Sequence, residues 1–319
     1  MKNRNKIILF FTGLFLVLYG VSYLLIPYNS VENRLYKKNS SILNEPKGTI
    51  DYVAIGDSEC STSISPMEIW NTYGYTGYNC GLPGQRIQDT YYQLKKLLKK
   101  QSPKVILLET NAFYRDFKYM SALESSMEET AKDIFPIYKY HDNWKYFHLY
   151  MLKSPSRKIR QNPVTVYKGY LYSNVAAPYK DGSYISETSD VWEIGRQPMV
   201  YLDKIKELCK ENNIELILYT APSPKCWTYS KHNSAAAYAG ENHLAYLDLN
   251  LDESGAAIDW NKDTRDQGDH LNYYGAKKVS AYMGKYLFEH TKLTDHRNEQ
   301  QFAGWNNEMK NYFKMTEKG

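Results

Sequence analysis

Ser58 follows a short apolar, β-branched run (residues 49–55, TIDYVAI) and a glycine, Gly56. A serine presented just past a buried strand, after a residue that permits a tight turn, stands where a nucleophile can meet a substrate and a base. Taken alone, Gly56-Asp57-Ser58 equally fits an ordinary strand-to-helix turn with Ser58 near a helix N-terminus. Further features fall at corresponding places. Asn79-Cys80-Gly81 closes a second strand-like run (75–80), and Thr110-Asn111 follows a third (105–109). The backbone N–H groups of Ser58 and Gly81, with the side-chain amide of Asn111, would make an oxyanion hole for a tetrahedral acyl intermediate. Asp266-Gln267-Gly268-Asp269-His270 precedes the last helical stretch, so His270 arrives where a general base could reach Ser58. The chemistry open to this set is acyl transfer through a serine ester.

Such a set works only if the strands end at one edge. Residues 49–55, 75–80, 105–109, 214–219 and 246–251 read as strands, and 67–73, 87–100, 202–213 and 272–290 as helices between and after them. Alternation of this kind implies crossover units, hence an α/β fold with a mostly parallel five-stranded sheet and helices on both faces. Residues 112–195 break the rhythm, with helical pieces expected at 121–134 and 142–152 and then a Tyr/Gly/Ser-rich stretch. An insertion at this point should cover the C-terminal edge of the sheet. Its Tyr167, Tyr170, Tyr172 and Trp192 could line a glycan groove, with Asp57 meeting substrate beside Ser58. Plain packing is the alternative in a chain with 31 tyrosines. Residues 29–48 read as a stalk, 49–290 as the domain that carries the chemistry, and 291–319 as a loosely docked polar tail.

With these blocks in view the chain resembles the SGNH (GDSL-type) hydrolase superfamily. Ser58 in IGDSE, Gly81 in NCGLPGQ, Asn111 in LLETNAF and His270 in DHLNYYGAKK correspond to its four blocks. The resemblance covers roughly residues 49–111 and 200–290 and leaves the insertion outside. It implies a flavodoxin-like α/β/α sandwich and a Ser-His-Asp triad that transfers or hydrolyses acyl groups. The family's aspartate lies three residues before the histidine, and Gln267 occupies that place here. Asp266, four residues before His270, is the first choice for orienting the ring, since a bulge across Gln267-Gly268 can restore the geometry. Asp269, adjacent to His270, is the alternative.

The N-terminus bears on compartment. Residues 7–26 carry no charge and are long enough to cross a hydrocarbon core of about 30 Å. MKNRNK precedes them, so residues 1–28 read as a cytoplasmic tail and transmembrane signal anchor, with the remainder outside the cytoplasm. A cleaved signal peptide is the rival, but no small-x-small site follows the span. The formal net charge of +5 includes Lys2, Arg4 and Lys6 and no basic block occurs beyond them, which gives no reason to expect nucleic acid as a partner. Cys60, Cys80, Cys209 and Cys226 show no metal-ligand spacing, and disulfides and buried thiols remain equally open. No metal is expected, and no phosphate loop or dinucleotide fingerprint follows a strand, so no cofactor is expected either. A single span ahead of an SGNH-like domain looks like the DltD and alginate-acetylation type. That likeness implies a membrane-bound O-acyltransferase (MBOAT-type) partner and O-acylation, most simply O-acetylation, of an envelope polysaccharide or teichoic acid. A deacetylating esterase, or a non-catalytic polymer-binding subunit, are the alternatives.

Overall fold

The computed structural model describes residues 2–24, 41–117, 166–251 and 256–316. The chain divides into two compact units, Met1–Lys37 with Lys118–Asn162, and Lys38–Phe117 with Pro163–Gly319. Of the first unit, the described part is helix α1 (Lys2–Leu24), whose stretch Arg4–Val21 is long and apolar enough to cross a membrane and contains no buried residue. The helical pieces expected at 121–134 and 142–152 lie outside the described residues.

The second unit holds the sheet: β1 (Tyr52–Ile55), β2 (Gly77–Asn79), β3 (Val105–Glu109), β4 (Glu215–Thr220) and β5 (Ala245–Asp248). Their order is β2-β1-β3-β4-β5, every pairing parallel. The strand period of two divides the apolar residues cleanly between the faces. Val53, Ile55, Ile106, Leu108, Leu216 and Leu218 enter one core, while Tyr52, Ala54, Val105, Leu107, Ile217 and Tyr219 enter the other. On the first face lie α4 (Ile87–Leu97), α5 (Arg196–Glu211) and α6 (Tyr229–Glu241), contributing Leu94, Leu97, Leu202, Ile205 and Tyr238. On the second lies α7 (Tyr273–His290), through Val279, Met283 and Leu287. Buried on both sides, β1, β3 and most of β4 read as near-continuous apolar runs, while the edge strand β5 is half-buried.

Two short helices follow β1: α2 (Ser58–Ser63) and α3 (Pro66–Tyr73). Neither α2 nor α6 carries the periodic large apolar residues that mark a helix in sequence; α6 buries Ser234, Ala235, Tyr238 and Ala239 instead. The C-terminal residues differ from a loosely docked tail. Residues 303–316 form α8 (Ala303–Thr316), which buries Trp305 and Tyr312 in the first core, Trp305 tilted against Trp70 at 5.2 Å between ring centroids. Residues 41–48, at the end of the expected stalk, are also packed. Ile42 is buried, and the Gln101 amide donates to Pro46 O (2.9 Å). A buried lysine ties these segments together: Lys168 pairs with Glu45 (2.7 Å) and Glu308 (2.6 Å) and lies over the Trp305 ring. None of the four cysteines is in a disulfide, and Cys60, Cys80 and Cys209 are buried.

Candidate active site

In this strand order β1 and β3 are adjacent, and the chain leaves them in opposite directions across the sheet. Open α/β sheets form their ligand crevice at such a point, beyond the carboxyl ends of the strands. Ser58 leaves the end of β1 and Asn111 the end of β3. The turn into α2 depends on Gly56, at φ +152°, where a Cβ would stand 2.7 Å from Glu109 Cβ. Asp57 is the N-cap of α2 and accepts from Glu59 N at 3.1 Å, which fixes the first turn with Ser58 at its start.

Asp57 is fully buried and is held from the other side by Arg115, whose guanidinium contacts Oδ2 at 2.6 and 2.7 Å. One N–H of the Asn111 amide also donates to that oxygen (2.8 Å). Asp57 therefore ties the end of β3 to the nucleophile turn rather than lining an open subsite. Gly81 sits against α2, where a Cβ would meet Ser61 N at 2.5 Å, and its N–H donates to Asn79 Oδ1 (3.0 Å). Asn79 in turn donates to Cys60 O and Ile64 O, both at 2.8 Å, closing α2. Of the three oxyanion donors expected, Gly81 is thus engaged with Asn79, and Asn111 shares its amide with Asp57.

The loop before α7 carries the expected base. Gln267 and Gly268 both have positive φ (+61° and +90°), and this bulge folds Asp266 back onto His270. Asp266 Oδ1 accepts the His270 backbone N–H (2.6 Å), and Oδ2 lies 2.5 Å from Nδ1. Asp269 Oδ2 is 3.5 Å from the same nitrogen, and its Oδ1 accepts from the Cys226 thiol at 3.2 Å. The adjacent aspartate is turned toward the loop after β4, as neighbouring side chains in an extended stretch diverge. The loop is clamped from both sides. Residues of the insertion pair with it through Gln267 N to Ala177 O (3.0 Å) and Ala177 N to Thr264 O (2.9 Å), and Ser223 Oγ donates to Asp269 O (2.8 Å).

Between Ser58 and His270 stands a residue that sequence reasoning missed. Ser58 Oγ donates to Glu59 Oε2 at 2.7 Å, and His270 Nε2 lies 3.9 Å from that same oxygen. Glu59 is buried. Desolvation, reinforced by Asp57 and opposed by His270, raises its carboxyl from the ordinary value to about 7. Glu109, fully buried at the end of β3, is pushed well up by desolvation and by Asp57 and Glu59. Lys231 lies on the same side: its ammonium donates to Cys226 O (2.6 Å) and stands over the Tyr114 and Trp192 rings, while burial lowers its pKa. Glu59, Glu109, Asn111, Tyr114, Cys226 and Lys231 are among the walls of a narrow cleft whose cavity volume is only about 10 Å³.

Of the expected substrate contacts, Trp192 is half exposed at the rim beside Tyr114 and Lys231. Tyr170 is buried and lines no groove; burial pushes its hydroxyl pKa up. Glu59, Asp269 and His270 bring one possible ligand atom each within 4.8 Å of one another. The same three side chains are hydrogen-bonded to Ser58, Cys226 and Asp266 respectively.

No protein-family model matches the chain, and no curated protein matches it in sequence. Among solved structures, a candidate acylhydrolase from Bacteroides fragilis is 14% identical, with 82% of this chain and 99% of that chain covered and a TM-score of 0.42. A GDSL-like lipase from Bacteroides thetaiotaomicron is 12% identical over 80% of this chain and 97% of its own, with a TM-score of 0.41. A lipase/acylhydrolase from Enterococcus faecalis is 15% identical over 77% and 99%, with a TM-score of 0.32.

Proposed function

We propose that this protein is an SGNH-type serine acyltransferase, anchored by α1, that O-acylates a cell-envelope polysaccharide or teichoic acid. The observation that carries the reading is the convergence at one sheet edge of Ser58, at the start of α2, with the Asp266–His270 pair, through Glu59. Ser58 Oγ attacks the acyl carbon of a donor, its proton drawn toward the basic side of the site, and a serine ester results. The Ser58 backbone N–H and the second N–H of the Asn111 amide are the donors for the oxyanion. A sugar hydroxyl then takes the acyl group and Ser58 is regenerated. The apolar length of α1 and the basic residues of its first turns support an extracytoplasmic domain beside an MBOAT-type membrane acyltransferase that delivers the donor.

The experiment is Ser58→Ala in the full chain, read two ways: fluorophosphonate labelling of detergent-solubilised protein, and ester-linked acetate on the envelope polymer of the native cell. Labelling confined to the wild type, with lower polymer acetate in the variant, is the expected result. Labelling confined to the wild type with raised polymer acetate in the variant identifies a deacetylating esterase. A wild type that is folded but unlabelled, with no change in polymer acetate in the variant, overturns the reading in favour of a non-catalytic subunit.

A further inference from the structure

Asn111 leaves the end of β3 with its backbone fixed, since Glu109 Oε2 accepts its N–H at 2.9 Å. Its side-chain amide is then held between opposite charges. One amide N–H donates to Asp57 Oδ2 (2.8 Å), and Oδ1 faces the Lys231 ammonium at 3.5 Å. Turning the amide over would set its carbonyl against a buried carboxylate and its N–H groups against a cation, so both neighbours select the same orientation. That orientation keeps the nitrogen end beside the turn that carries Ser58, because Asp57 precedes Ser58. Lys231 sits where a lysine is ordinarily disfavoured. It lies in the first turn of α6, at the positive end of the helix dipole, and is half-buried. Its two acceptors among the described residues, Cys226 O (2.6 Å) and Asn111 Oδ1, are both neutral amide oxygens. The Tyr114 and Trp192 rings stand 5.3 and 5.2 Å from the ammonium, and Tyr114 Oη donates to Lys231 O (2.6 Å). The cation is thus fixed in place on the oxygen end of the Asn111 amide.

We propose, building on the reading of Ser58 as nucleophile, that Lys231 is a positioning residue for the oxyanion site, holding the Asn111 amide with its nitrogen toward the reacting carbonyl and strengthening its free N–H as a donor. Asp57 alone would orient the amide at a cost. A carboxylate that takes one N–H pushes electron density onto the nitrogen and weakens the other N–H, the one that must meet the oxyanion. An ammonium at Oδ1 pulls density the opposite way and leaves the nitrogen end more positive. Arg115 works in the same sense from the far side, its guanidinium 2.6 and 2.7 Å from Asp57 Oδ2. No bond to Lys231 forms or breaks and it passes no proton. Its part is to bias an amide that could otherwise present either end.

The test is a double-mutant cycle on the rate of Ser58 labelling by a fluorophosphonate, a reaction that sets a phosphoryl oxygen in the same oxyanion site. It uses the detergent-solubilised full chain as wild type, Lys231→Met, Asn111→Ala, the two together, Lys231→Arg and Ser58→Ala. Asn111→Ala should lower the rate by about 10²-fold, the usual worth of one oxyanion donor. Lys231→Met should lower it about tenfold, a part of that worth, and Lys231→Arg, which keeps the cation, should recover most of the loss. In the Asn111→Ala background Lys231→Met should change the rate less than about twofold, because the group it acts through is gone. An equal loss in both backgrounds overturns the proposal, since Lys231 would then act on the oxyanion directly or through the fold. So does a folded Lys231→Met that labels as fast as wild type. Circular dichroism reports folding; where Lys231→Met does not fold, Lys231→Gln, which keeps a donor without the charge, takes its place in the cycle with the same outcomes. A wild type that labels no better than Ser58→Ala instead refutes the nucleophile reading, and this inference with it.

Discussion

Two aspartates flank the bulge before His270, and the geometry separates them. Asp266 accepts both the His270 backbone N–H (2.6 Å) and the ring at Nδ1 (2.5 Å), whereas Asp269 stands 3.5 Å from Nδ1 and is engaged by Cys226. Asp266→Asn keeps an oxygen for the backbone N–H, so the loop stays folded, but it removes the charged acceptor that orients the ring. A charge-assisted hydrogen bond is worth about 1.5–3 kcal/mol. The Asp266 side chain is 37% exposed, and solvent screening places the effect at the low end of that range. About 1.4 kcal/mol corresponds to tenfold in rate, so Asp266→Asn should slow Ser58 acylation about tenfold. Asp269→Asn leaves the Asp266 contact with the ring intact and should change it only about twofold, the margin of a longer, partly exposed ion pair. The assay is kcat/KM on a small chromogenic acetate ester with detergent-solubilised full chain, checked by fluorophosphonate labelling rates. If Asp269→Asn costs more than Asp266→Asn, the assignment of Asp266 is wrong and the bulge at Gln267-Gly268 does not serve the site.

Two further outcomes follow from buried groups at the same edge. Glu59 has a raised carboxyl in the folded chain, so the native state binds more protons than the unfolded state between the ordinary value of 4.5 and about 7. Its contribution to stability is present below pH 4.5 and is lost as pH rises through about 7, a change of about 3 kcal/mol across that window. Urea titrations at pH 5 and pH 8 should show this loss in wild type and a smaller one in Glu59→Gln; equal slopes for both would refute it. Gly81→Ala would set a methyl 2.5 Å from Ser61 N and 2.8 Å from Cys60 Cβ, so α2 must move. Overpacking of this kind costs about 1–3 kcal/mol, a fall of roughly 5 °C in Tm. A calorimetric scan with an unchanged Tm and wild-type labelling of Ser58 would show that α2 tolerates the shift.

The sheet was legible because its strands are buried on both faces and therefore appear as compact apolar runs; the strands found as β1 to β5 all fall within or beside the runs read. Ser58 and His270 were legible because strand ends and the loop before the last helix are positions that topology makes special. The Asp266 bulge was inferred from Gln267-Gly268, and both residues do adopt positive φ. What escaped was decided by packing. Glu59 gives no pattern signal, since nothing in an i, i+1 pair says the second side chain will turn back over the first. Arg115 and Lys231 reach the site from a loop and from the first turn of α6, and their sequence neighbours do not mark them. Helix α8 was readable but passed over: Trp305, Met309, Tyr312 and Phe313 stand at i, i+4, i+7 and i+8, an apolar stripe that packs on the first core.

Lys168 couples distant stretches of the chain to the turn that carries Ser58. Its carbonyl accepts the Asn79 N–H (2.8 Å), and Asn79 is the residue whose side chain closes α2. Its ammonium pairs with Glu45, ahead of β1, and with Glu308, on α8. One buried cation thus makes the packing of α8 bear on the helix that begins at Ser58, so a change at Glu308 would be felt there without touching any group of the site.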